Sequence, residues 1–180
     1  MDLEFQAQSR HPLIQAAAKY WLDKCGNRPM PSRTDLDPCE IPALLPHILL
    51  LDVGYDPLDF RYRLIGTAID QHMNEPRTGQ RLRSIPHQAP GSTLWRRLEA
   101  VVADRRPMAD NVDYVGRYRE FKLAEDIILP LSDDALRVDM LLVAVAFVRK
   151  DRSGTESDPA QAWRNRISAS PVAWGNSSGK

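Results

Sequence analysis

Between Pro12 and Cys25 the apolar residues recur every three or four positions. Leu13, Ala17, Tyr20 and Lys24 fall on one stripe, and Ile14, Ala18, Trp21 and Cys25 run beside it. This spacing predicts an amphipathic helix over Pro12–Cys25, with Pro12 in its first turn and Gly26 at its C-cap. After a Pro-rich turn, Asp37-Pro38-Cys39-Glu40 predicts a short helix start: Asp37 caps and Glu40 reaches back to the cap N–H. Pro42 and Pro46 keep that helix short.

The period then changes. His47–Val53 is an apolar run ending at Gly54, which reads as a buried strand. Phe60–Ile65 alternates, with Phe60, Tyr62 and Leu64 on one face and Arg61 and Arg63 on the other, so it reads as a half-buried strand paired with the first across Gly54–Asp59. Thr67, with Asp70 three residues on, predicts a capped short helix over Ala68–Asn74. Ser92 or Thr93 opens a stronger helix with the stripe Leu94, Leu98, Val101 and Val102, ended by Pro107.

Three strands are predicted to follow: Met108–Val115, Arg119–Leu131 and Leu136–Val148, with turns at Gly116-Arg117 and Ser132–Ala135. The last is apolar on both faces, which places it mid-sheet with both faces covered. Two strands, a helical crossover and three strands give an α+β domain: a five-stranded antiparallel sheet with the crossover helices on one face. The amphipathic N-terminal helix is left to cover the other. The expected organisation is an N-terminal helix in residues 1–27, a domain over 28–149 and a flexible tail over 150–180, which is rich in Ser, Gly and Pro and carries Trp163 and Trp174.

Composition narrows the function. Lys plus Arg and Asp plus Glu both number 24 in 180 residues, so the basic excess of a nucleic-acid binder is absent and no nucleic-acid partner is expected. The longest apolar stretch, Met140–Val148, is too short to cross a bilayer and no secretory leader is recognisable, so a cytoplasmic protein without a membrane partner is expected. Cys25 and Cys39 have no C-x-x-C or metal-ligand spacing and read as reduced thiols.

Several segments together resemble a family of small, single-domain bacterial PAS proteins found mainly in alphaproteobacteria. They are Met30-Pro-Ser-Arg33, Asp37-Pro38, Ile41-Pro-Ala-Leu-Leu-Pro-His47, Leu51-Asp52, Phe60-Arg-Tyr-Arg-Leu-Ile-Gly-Thr67, Thr78-Gly79, Leu129-Pro-Leu-Ser132 and Val138-Asp139. The element order is the PAS order as well. The resemblance spans roughly Tyr20–Val148 and implies a PAS-like fold with a sensory or regulatory role. It carries over no catalytic or binding residue. One departure is Asn74, where a glycine is expected; Asn tolerates the left-handed conformation such a glycine supplies.

No catalytic motif stands out. His11, His47, His72 and His87 show no zinc-binding spacing. No cofactor is indicated; a haem held by His72 or His87 would rest on a lone histidine. Asp133-Asp134 and Glu125-Asp126 read as solvated charges, and Arg61 and Arg63 as a solvated outer face that acidic groups of a partner could meet. A ligand is expected between the inner sheet face and the segment Ala68–Arg105. Phe60, Tyr62 and Leu64 would line it from the second strand, His72 and Met73 from the helical wall, and Tyr114 and Phe121 from the neighbouring strands.

The function expected is a non-catalytic sensory domain that binds a small molecule, an unidentified signalling protein, or both. It is expected to form a homodimer through the N-terminal helix, with Leu13, Ile14 and Ala17 as the apolar surface. Two other readings are a ligand-free dimerisation scaffold and a small α+β enzyme of the hydratase or isomerase kind.

Overall fold

The computed structural model of the protein describes residues 11–113, 118 and 121–149. Tyr114, the Gly116-Arg117 turn, Trp163, Trp174 and the tail lie outside these residues. The elements are helix α1 (Pro12–Cys25), strands β1 (Ile48–Gly54) and β2 (Asp59–Ile65), a short helix α2 (Thr67–Asp70), helix α3 (Thr93–Asp104), and strands β3 (Met108–Asp113), β4 (Phe121–Leu131) and β5 (Met140–Arg149). The strands form one antiparallel sheet in the order β2-β1-β5-β4-β3. The doubly apolar β5 is its central strand.

α1 lies across β4 and β5. Leu13, Ile14, Ala17, Ala18, Trp21 and Cys25 are all buried there, and Trp21 Nε1 donates to the Pro130 carbonyl at 2.8 Å. The opposite sheet face is covered by the crossover. Register places Leu49 and Leu51 of β1, Val143 and Val145 of β5, and Ala124, Asp126 and Ile128 of β4 on that inner face. Helices and strands share one core.

Several local expectations are corrected. Glu40 does not close a capping box: it pairs with Lys24, and the Asp37 N–H donates to the Tyr20 hydroxyl at 2.8 Å. Asp37 itself caps as expected, accepting from Cys39 N at 2.8 Å. Gly66, not Thr67, is the N-cap of α2. A Cβ at Gly66 would stand 2.5 Å from the carbonyl oxygens of Leu45 and Pro46, so only glycine fits this crossing of backbones. β5 starts at Met140 rather than Leu136 because the Asp134 carboxylate accepts from the N–H groups of Leu136 and Arg137, each at 2.8 Å. The chain therefore turns where strand was predicted, and Leu136 is 70% exposed.

Leu64 is also corrected. In the β1–β2 ladder Leu50 pairs with Leu64 but Leu51 pairs with Tyr62, so Arg63 is an extra residue in β2. Such a bulge breaks the period of two beyond it. Phe60 and Tyr62 stay on the inner face and are buried, whereas Leu64 is on the other face and 40% exposed.

Candidate ligand cavity

The site is built where the crossover arches over the inner sheet face. After Gly66 the chain makes the single turn of α2, which buries Ile69 and sets His72 and Met73 above the sheet. The chain then returns to the edge of β2, where Tyr62 N–H donates to the Gln80 carbonyl and Gly79 N–H to the Tyr62 carbonyl. Arg77 stands inside this return, pairing with Glu75 at 2.5 Å and donating to Gln80 Oε1 at 3.0 Å. Further on, Ile85 and Leu82 are buried and carry His87 and Gln88 over the same space.

These segments and the sheet leave a cavity of about 310 Å³. Ile69, Met73, Val112, Ala124, Val145 and Phe147 form its apolar walls, and His72, Asn74, Arg77, His87, Gln88 and Asp113 are its polar lining. This lies near the low end of the roughly 300–1,000 Å³ typical of small-molecule sites. The His72 ring stacks on Phe147 with centroids 3.7 Å apart, and Phe121 and Tyr118 meet it edge-on at 4.8 and 5.0 Å.

The expected site residues separate into groups. His72 and Met73 line the cavity. Phe121 supports it through His72. Tyr62 reaches it indirectly: its hydroxyl donates to Gln88 Oε1 at 3.1 Å. Burial pushes the Tyr62 phenol up from its ordinary value, opposed by the charge of Arg77. Phe60 is core, in T-shaped contact with Trp95 at 5.1 Å, and Leu64 is outside. His87, considered above only as a haem ligand, is part of the lining.

Sequence reasoning missed a buried ion pair on the same sheet face. Asp126 was expected to be solvated, but it is buried on β4 and held by both terminal nitrogens of Arg97 from α3, one at 2.9 Å. Burial pushes the Asp126 carboxyl up from its usual range, with Arg97 opposing. The signal was in the pattern, since Asp126 sits at an inward position between Ala124 and Ile128. Arg77, Gln88, Ala124 and Val145 were also missed, because periodicity does not single out loop polar residues or small inward ones.

Among the described residues no group of three or more His, Cys, Asp or Glu side chains is placed to hold a metal ion. No helix among the described residues is long and apolar enough to cross a membrane. A family model described as the PAS domain matches residues 9–145, about three quarters of the chain. The chain belongs to the PAS domain family, whose members are generally sensory or regulatory rather than catalytic and commonly mediate protein interaction and dimerisation. No curated protein matches the sequence.

Proposed function

We propose that this protein is a non-catalytic sensory domain that holds a small molecule in the cavity beneath the crossover and passes the bound state to a protein partner. The carrying observation is the cavity itself, with apolar walls, a few convergent polar groups and a histidine packed among aromatic rings. α1 covers the reverse face of β4 and β5, so it is the element best placed to relay a change in the sheet. A reducing, cytoplasmic setting fits the free thiols Cys25 and Cys39; burial raises Cys25 to about 11, which keeps it unreactive.

Pairing with a second copy remains in the proposal, but not through the surface first expected. Leu13, Ile14 and Ala17 are buried against the chain's own sheet, so a dimer must use another surface. Sedimentation showing only monomer at about tens of micromolar would remove the dimer.

The cavity is tested with Ala124→Leu, which adds side chain into the space without touching the polar lining. Native mass spectrometry should find small-molecule mass on the wild type and none on Ala124→Leu, with the variant's melting temperature nearly unchanged. A wild type that carries no added mass, together with a variant destabilised by the ~1–3 kcal/mol of an overpacked core, would mean the space is solid and the ligand reading is wrong.

A further inference from the structure

We infer that the occupant of this cavity is a small carboxylate with an apolar body; the inference rests on the reading of the cavity as a ligand site. The polar lining is not neutral in character. Arg77 has a side chain only 14% exposed, among apolar walls, and a guanidinium so placed requires an anion and hydrogen-bond acceptors. Its present anion is a poor one: Glu75 is two residues away on the same loop and 58% exposed, so much of its charge is screened by water. The planar fork also carries more N–H donors than its bonds to Glu75 and Gln80 use.

A second donor converges on the same space. Gln88 Oε1 accepts from Tyr62, which turns the other end of the amide, Nε2, into the available donor; it bonds nothing else among the described residues. Among the described residues Asp113 is the one carboxylate in the lining, and it is exposed. The recognition is therefore a bidentate carboxylate on Arg77, displacing Glu75, with Gln88 Nε2 as a further donor. The apolar body then lies along Ile69, Met73, Val145 and Phe147. The small Ala124 leaves it room.

The test uses matched pairs: the straight-chain acids from butanoate to octanoate and phenylacetate, each beside its primary amide. Binding is read by calorimetry on the full chain stripped of retained small molecules by unfolding and refolding. The acids should bind and their amides should bind much more weakly. Arg77→Gln should weaken the acids by about ten- to a hundredfold, the range for a lost charged hydrogen bond, and leave the amides unchanged. Glu75→Gln, a surface change that does not threaten folding, should tighten the acids by removing the competitor. Ala124→Leu should abolish both. Amides that bind as well as acids, or a Glu75→Gln variant no tighter than wild type, would overturn the carboxylate inference and leave the cavity reading standing. No binding by any acid or amide overturns the inference too, and the mass measurement on freshly purified protein then decides the cavity reading separately.

Discussion

Truncating Trp21 to alanine probes the docking of α1 most sharply. The ring is 1% exposed, it sits in the middle of the buried stripe, and its N–H is bound to the Pro130 carbonyl of β4 at 2.8 Å. Removing a buried Trp side chain costs about 3–5 kcal/mol. One feature lowers the figure: Trp21 borders a crevice of about 480 Å³, also lined by Pro29, Met30, Arg106 and Pro107, so water can enter part of the space the ring leaves. The expectation is thus nearer about 3 kcal/mol, a large share of the roughly 5–15 kcal/mol that holds a domain folded. For a chain of this size that is a fall in Tm of about 6–12 °C. Urea denaturation should show a lower midpoint with an unchanged slope. Trp21→Phe keeps much of the apolar contact but loses the N–H and part of the ring, so it should cost about 1–2 kcal/mol. An unchanged midpoint for Trp21→Ala would refute the docking of α1. Equal losses for the two variants would refute the claim that burial rather than the hydrogen bond dominates.

Arg97→Ala strands the buried Asp126 and should cost about 3–5 kcal/mol, while Arg97→Met with Asp126→Leu should recover much of that loss; a double variant no better than the single one would contradict a coupled pair. Gly66→Ala should destabilise by about 1–3 kcal/mol or more, because its Cβ meets two backbone carbonyls at 2.5 Å; a melting curve matching wild type would show that the crossing is looser than described. Asp134 is held at about 2 by the N–H groups of Arg137 and Leu136 and by the Ser132 hydroxyl. Its folded value lies below its unfolded one, so its contribution is present above about pH 4 and is lost as pH falls towards about 2. Asp134→Asn should therefore be less stable than wild type near neutrality, with the gap closing on acidification; a gap that widens would reverse the assignment.

The sheet was legible because its signals were strong and local. α1 declared itself through an unbroken stripe closed by Pro12 and Gly26, and β5 through a run apolar on both faces that only a central strand can bury. The failures came where a side chain or a third segment decides the backbone. The bulge at Arg63 depends on register with β1, which alternation within β2 cannot reveal, so Leu64 was placed on the wrong face. Asp134 captures two N–H groups and delays β5, a competition between side chain and ladder that the apolar count ignores. The site was half legible: His72 and Met73 followed from their place after the second strand. Arg77 and Gln88 lie in a segment whose path is set by bonds to Tyr62, and no periodicity marks such residues.

The central claim is that the space beneath the crossover receives a small molecule. Methyl NMR on the purified chain tests it directly, with the resonances of Ile69, Met73, Ala124 and Val145 as reporters of the cavity. The exposed Leu64, on the far face of the sheet, serves as the control. The protein is titrated with the low-molecular-weight fraction of a cell extract. The account predicts saturable shifts at the four cavity methyls, absent at Leu64 and abolished at the remaining three reporters in Ala124→Leu. Shifts confined to surface methyls, or cavity methyls that stay fixed throughout the titration, would contradict it.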